Sequence, residues 1–287
     1  MKLTRNKLME ILRRKNEGWT TYQVRKIAGI SVRRVNQVWK EYQETGRIPE
    51  IGKCMGRPAK PIKQQEIEMV KEAYIRYRVS ASTLIKCIER DYGLHINHNK
   101  IHMIMLDLGY ACKKSKKDKR KKKWIRYERK HSLTAVHLDW YFDSVKEKWV
   151  LPVIDDASRK LLALVETENA TTDASIEAMQ EALKYGRIQQ CITDHGTQFI
   201  KDESKRSRFA EFLEKEGIKH ILCRVKHPQS NGKSEKFNDL YKNHRHAFKT
   251  KEKFIQWYNE IRPHRALRFE ELETPQQAFL RKRKTET

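Results

Sequence analysis

An acid set inside an apolar strand narrows the possible folds more than any helical pattern does. Thr134-Ala135-Val136-His137-Leu138-Asp139-Trp140-Tyr141-Phe142 reads as a mostly buried strand. Alternation puts Val136, Leu138, Trp140 and Phe142 on one face, and His137, Asp139 and Tyr141 on the other. A carboxylate in that setting needs a partner, because an unpaired buried charge is costly. A second acid, Asp194, ends the short apolar strand Ile188 to Thr193 and enters the loop His195-Gly196-Thr197-Gln198-Phe199. The C-terminal ends of such strands are where sites are built. A third acid lies in His227-Pro228-Gln229-Ser230-Asn231-Gly232-Lys233-Ser234-Glu235-Lys236-Phe237-Asn238, where turn residues run into a helical pattern. Ser230 or Asn231 can cap that helix, and Glu235 falls in its first turns, where the helix dipole favours an anion. Asn238 and Lys242 follow at i+3 and i+7, on the face of Glu235. Taken alone, this stretch reads as a solvated helix start that contains a glutamate. Beside two strand-borne aspartates it completes an all-oxygen ligand set, which suits Mg²⁺ or Mn²⁺ and not zinc.

The rest of the chain is organised around that α/β region. Residues 1–47 carry a helix from Lys2 to Lys15, a break at Gly18-Trp19-Thr20-Thr21, a short helix capped by Thr21 and ended by Gly29, and a helix capped by Ser31. Helix, short glycine turn, helix is a helix-turn-helix signature. The last helix offers Arg33, Arg34, Asn36, Gln37 and Lys40, side-chain types that reach base edges and phosphates. Residues 48–61 form a proline- and glycine-rich linker in which Gly56-Arg57-Pro58 resembles the core of a minor-groove hook. Residues 62–110 hold a second three-helix pattern with caps at Ser80 or Ser82 and at Asn97 or Asn99. Residues 111–131 are a basic linker. From Lys113 to Lys130 it holds twelve basic residues and two acidic ones, with Trp124 and Tyr127 as docking points. The core spans 132–247 and the closing helices and basic tail 248–287. Its strands are expected at Leu133–Phe142, Lys148–Ile154 and Lys160–Val165, then at Ile188–Thr193 and Ile218–Cys223. Helices capped by Thr172 or Asp173, and through Phe209 and Leu213, alternate with the last two. Asp155 and Asp156 sit in a hairpin turn, where aspartate bonds its own backbone, and are left out of the site.

Composition names the partner class. The 287 residues carry 62 Lys and Arg against 37 Asp and Glu, a net charge of +25. A chain so basic expects a polyanion, with nucleic acid first. No apolar run has spanning length and no signal segment opens the chain, so an intracellular, cytoplasmic protein without a membrane partner is expected. The five cysteines are scattered and contain no C-x-x-C pair, against a disulfide framework or a thiolate zinc site. His95, His98 and His102 read as helix-surface or core residues.

The motifs together resemble the DDE transposases of the retroviral-integrase superfamily, close to the integrase-core transposases of insertion sequences. The resemblance rests on His137-Leu138-Asp139, on Thr193 to Phe199, on His227 to Asn238, and on Trp257-Tyr258-Asn259-Glu260-Ile261-Arg262-Pro263-His264-Arg265-Ala266-Leu267 followed by Thr274-Pro275. It covers roughly Ser132 to Leu280. The pattern differs at Tyr141, at Lys236 and in the forty residues between Asp194 and Glu235, where Lys201 to Arg208 reads as a surface insertion. The resemblance implies an RNase H-like core, a mixed five-stranded sheet flanked by helices, preceded by two all-α helix-turn-helix modules. It implies strand cleavage at element ends and transfer to target DNA, with two Mg²⁺ (or Mn²⁺) ions on Asp139, Asp194 and Glu235. Lys233, Lys236, Asn238 and Lys242 are then expected along the DNA, and a homo-oligomer, at least a dimer, on double-stranded DNA in a prokaryotic nucleoid. A DNA-binding regulator derived from an inactive transposase, or a nuclease that cuts without joining, are the alternatives.

Overall fold

The computed structural model describes residues 3–52, 61–112, 128–200, 207–223 and 232–284. Gly56-Arg57-Pro58, the basic block over 113–127 with Trp124 and Tyr127, residues 201–206 and the turn from His227 to Asn231 lie outside those residues. The chain divides into two compact units, Met1–Pro61 and Ile62–Thr287.

The first unit is a bundle of α1 (Arg5–Asn16), α2 (Thr21–Ala28) and α3 (Val32–Thr45). Leu8, Ile11, Leu12, Val24, Ala28, Val35 and Val38 form its core. The α2 cap is Thr20 and not Thr21. Thr-x-x-Gln begins at Thr20, so Gln23 can answer the cap reciprocally, its side chain accepting from the Thr20 N–H at 2.9 Å. Gly29 ends α2 at φ +63°, a conformation that glycine adopts without strain.

In the second unit, α4 (Gln64–Tyr77), α5 (Ala81–Tyr92) and α6 (His98–Asp107) enclose Val70, Leu84, Ile88, Ile101 and Ile104. Leu272, from the far end of the chain, completes this cluster, and the Trp257 indole N–H donates to the Arg76 carbonyl at 2.9 Å. This helical trio is packed onto the C-terminal region.

The sheet contains β1 (Val136–Leu138), β2 (Tyr141–Asp143), β3 (Lys148–Asp155), β4 (Leu161–Thr167), β5 (Gln190–Thr193) and β6 (Lys219–Leu222). β1 and β2 run along the same edge of β3, antiparallel; β4 pairs on the other edge of β3, and β5 and β6 extend the sheet in parallel beyond β1. The expected single strand over 133–142 is therefore two strands in one line, with an interruption at Asp139 and Trp140. The register with β3 does not shift across it: Leu138 pairs with Val153 and Tyr141 with Val150, which sets Asp139 opposite Pro152. Asp155 N–H points to Lys160 and Asp156 N–H to Ala135, so by alternation Pro152 turns its nitrogen toward the first strand. Proline has no N–H to donate, and the ladder opens where the acid sits. Counted as one interrupted strand, β1 and β2 give the five-position mixed sheet of an RNase H-like core.

Two helical layers cover this sheet. Val136, Leu138, Leu151 and Val153 face Ala178 and Met179 of α7 (Thr172–Leu183), Phe209 and Leu213 of α8 (Arg208–Lys215), and Phe279 of α11 (Pro275–Arg281). The cap of α7 is Thr171, one residue before the expected position. Val150, Ile154, Leu161 and Leu164 face Phe237 and Tyr241 of α9 (Gly232–His244), Phe254 of α10 (Lys251–Gln256), and Trp257 and Tyr258 of the π turn that follows.

Candidate active site

Parallel pairing brings two of the expected acids together. Val136 pairs with Cys191 and His137 with Ile192. Continued by two residues, this register sets Asp139 beside Asp194 on neighbouring strands, side chains on one face, at the roughly 4.8 Å spacing of paired strands. β5 and β6 extend the row: Thr193 pairs with Leu222, and the Cys223 N–H donates to the Thr193 carbonyl at 2.8 Å. Burial, and then the negative charges of Asp194 and Asp139, push the Cys223 thiol up, so both carboxylates bear on one atom. The face is that of α9, because His137 pairs across β1 with Ile154, which packs on the α9 side.

The Asp194 loop is shaped around its carboxylate. Asp194 Oδ1 accepts from the Gly196 N–H at 3.0 Å. A Cβ on Gly196 would stand 2.7 Å from Gln198 Oε1 and 3.0 Å from that same Asp194 oxygen, so a side chain here would displace the acid. His195 donates from Nε2 to the Cys223 carbonyl at 2.8 Å, tying the ends of β5 and β6.

Glu235 occupies the first turn of α9 and is exposed. Ser234 and Phe237 on either side are buried and hold the turn against the sheet. Asp156 anchors it: this carboxylate, 1% exposed, accepts from the Lys233 ammonium, from His137 Nε2 at 2.7 Å and from the Arg129 N–H at 2.6 Å. Burial alone would raise Asp156; the hydrogen bonds and charges of His137 and Lys233 overcome it and hold the carboxyl well below the usual range. Burial lowers Lys233 to about 8 even beside that partner. Lys233, expected along DNA, is instead committed to a buried ion pair with a side chain 14% exposed. Asp155 does what the turn chemistry expects, accepting from the Ser158 N–H at 2.8 Å and the Leu133 N–H at 2.7 Å. Asp156 acts across the sheet. A signal for it was present, since His137 shares the face of Asp139 and a buried imidazole needs an acceptor.

Among the described residues no three His, Cys, Asp or Glu side chains stand together in a group able to hold a metal ion. The register sets Asp139 beside Asp194, and Glu235 lies on the helix above them. Glu235 extends into solvent, where a carboxylate is best hydrated. The donor chemistry still fits a hard cation. Two carboxylates share one row, a third rides the helix over their face, and one turn beyond it the buried Asn238 Oδ1 has no hydrogen-bond partner. Lys236 and Lys242 are exposed on α9. In the first unit Arg33, Asn36, Gln37 and Lys40 are exposed on α3 and Arg34 is half-buried. Asn36 accepts from the Thr21 hydroxyl at 3.0 Å, and Arg34 donates to Gln37 at 3.2 Å. His98 and His102 stack at 6.1 Å on α6, and His95 is bonded to Glu89.

A family model described as integrase core domain matches residues 129–228, and a second model of that description matches 216–269. An uncharacterised protein of Archaeoglobus fulgidus is 34% identical over 97 residues, 34% of this chain and 78% of the relative. A protein of Spiroplasma virus SpV1-C74 named as an integrase, ORF3, is 30% identical over 155 residues, 45% of this chain. The match spans 42% of that viral relative's length. Among solved structures, the catalytic core domain of BIV integrase aligns with a TM-score of 0.41 at 14% identity, over 52% of this chain and 94% of that one. The HTLV-2 integrase catalytic core domain in complex with magnesium aligns with a TM-score of 0.41 at 18% identity, over 50% and 95%. By its motifs, its sheet order and both family models, the chain belongs to the integrase-core family of DDE integrases and transposases.

Proposed function

We propose that this chain is a DNA transposase of an insertion sequence, which cuts DNA at element ends and joins the freed end to target DNA. The observation that carries the reading is the register that sets Asp139 beside Asp194 at the ends of two parallel strands, under the helix that bears Glu235. Paired carboxylates at a strand end, in a chain of net charge +25, suit phosphodiester chemistry on a polyanion. In the first step water attacks phosphorus and the 3′ oxygen leaves as a hydroxyl. In the second that hydroxyl attacks a target phosphodiester, whose own 3′ oxygen leaves, so one P–O bond replaces another.

Asp139, Asp194 and Glu235 would hold the divalent ions, Mg²⁺ or Mn²⁺. When bound, these activate the attacking oxygen and neutralise charge on the leaving one. Lys233 and Asp156 keep the first turn of α9 on the sheet, and with it Glu235. Lys236, Asn238 and Lys242 line the approach for the substrate strand. The first unit reads the element end through Arg33, Arg34, Asn36, Gln37 and Lys40 as a helix-turn-helix module. The trio α4–α6 is a second such module, and the basic block from Lys113 adds sequence-blind affinity. The protein works as a homo-oligomer, at least a dimer, on double-stranded DNA in the nucleoid.

A labelled duplex carrying the repeat that flanks the gene tests this reading. Transposase activity gives cleaved ends and then higher-mass joined products with Mg²⁺. Cleavage without joining identifies a nuclease, and end-specific binding with neither product identifies a regulator.

A further inference from the structure

Among the described residues no carboxylate pairs with the Arg262 guanidinium. Arg262 follows the π turn Trp257–Ile261, and its guanidinium lies 5.9 Å from the centre of the Trp257 ring. Its Nε is buried without a hydrogen-bond partner. An arginine cannot shed its proton to relieve such burial. A buried N–H left without an acceptor is costly, and here the protein's described residues supply none to Arg262 Nε.

Other basic side-chain types lie at or near the same aromatic pair. Trp257 and Phe248 have ring centres 5.0 Å apart. The Arg78 guanidinium lies 5.7 Å from Phe248, and the His244 ring 5.7 Å from Trp257. His246 is exposed in the turn just after α9. Burial, then the charges of Arg262, Arg78 and His246, push His244 down to about 4. Arg78 also holds a backbone conformation that suits glycine. It ends α4 at φ +46°, whereas α2, α3 and α5 end on Gly29, Gly46 and Gly93. The strain of a side chain there is accepted in exchange for a guanidinium at this point.

We propose that Arg78, His244, His246 and Arg262 form a binding site for a phosphodiester of the DNA backbone. The inference rests on the transposase reading for its choice of ligand. The forked guanidinium donors match a phosphate's oxygens, and the Phe248–Trp257 pair fixes where the forks point. Glu235 and His244 are nine residues apart on α9, about 14 Å along its axis. That is the rise of about four base pairs of duplex. The two side chains stand a half-turn apart around α9, so the site would hold a phosphate other than the one that is cut.

Binding of the full chain to a short duplex at several salt concentrations, with melting curves, tests the site. Two variants are used, Arg78→Gly, which relieves the backbone, and Arg262→Gln, which removes the guanidinium charge. Each should weaken duplex binding several-fold and lower the slope of log affinity against log salt by about 0.9 for every phosphate no longer neutralised. Neither should lower the melting temperature, and added inorganic phosphate should raise that of the wild type more than that of either variant. Wild-type affinity and slope in both variants would overturn the site while leaving the transposase reading intact. So would a fall in melting temperature that tracks the loss of binding, because the arginines would then be structural. A wild type that binds inorganic phosphate but no duplex would remove DNA as the ligand and the transposase reading with it.

Discussion

Asp156 shows how much one buried carboxylate can organise. It takes hydrogen bonds from His137 on β1, from Lys233 on α9 and from the backbone of Arg129, so it links the strand of Asp139 to the helix of Glu235. Asp156→Asn leaves the Lys233 charge buried, and breaking such a pair costs about 3–5 kcal/mol. The variant is expected to unfold at correspondingly lower urea at neutral pH. The sign with pH follows from the lowered carboxyl: its contribution is complete above the unfolded value of about 3.9 and is lost as pH falls through the folded one. The gap between variant and wild type should thus narrow in acid, which unfolding at a series of pH values checks. Asp139→Asn behaves in the opposite way. It removes one of two adjacent like charges at constant volume, so with chelator at neutral pH it should melt no lower than wild type, and a gain near 1 kcal/mol is expected. Mn²⁺ should stabilise the wild type and move the variant less. A lower melting temperature with and without Mn²⁺ would mark Asp139 as structural. The proposed acids stand out in the sequence because each interrupts an apolar or capped pattern. Lys233 was misread because a lysine at a helix start is ordinarily solvated, and the acceptor that buries it is 77 positions away in sequence.

Elements follow the sequence where the forces are local. Apolar periodicity located the helices, and Gly29, Gly46 and Gly93 ended them. Caps at Thr20 and Thr171 shifted by one residue, since adjacent threonines compete and geometry selects one. The gap at Asp139 needed a neighbour: only the pairing with β3 puts Pro152 opposite it. The role of Asn259 was equally hidden. Its side-chain amide donates to the Leu161 carbonyl and accepts from the Leu161 N–H, both at 2.9 Å, beside the register shift between β3 and β4. A buried amide thus stands in for a missing strand neighbour. Asn259→Ala should destabilise the core by about 2–4 kcal/mol, because two buried backbone groups lose their partners. Stability within about 0.5 kcal/mol of wild type by urea titration, the range of ordinary surface changes, would remove this role.

At the scale of the molecule, the charge of +25 and the division into Met1–Pro61 and Ile62–Thr287 suggest separate contributions to binding. Neutralising six lysines between Lys113 and Lys123 should flatten the salt dependence of DNA binding by about 0.9 for each phosphate left without a cation. Preference for end DNA over random DNA should survive, as competition binding can show; its collapse with an unchanged slope would reverse the roles. The boundary between the units falls at the end of the proline- and glycine-rich stretch 48–61, and the docking of α4–α6 on Leu272 and Trp257 joins segments too distant to read from sequence. The central claim is that Asp139, Asp194 and Glu235 act on phosphodiesters and do not serve to bind DNA. Its most direct measurement compares Glu235→Gln with wild type for cleavage rate and affinity on the same end duplex. The claim requires cleavage to be abolished with affinity held within a few fold. Cleavage at the wild-type rate, or a loss of cleavage fully explained by lost affinity, would contradict it.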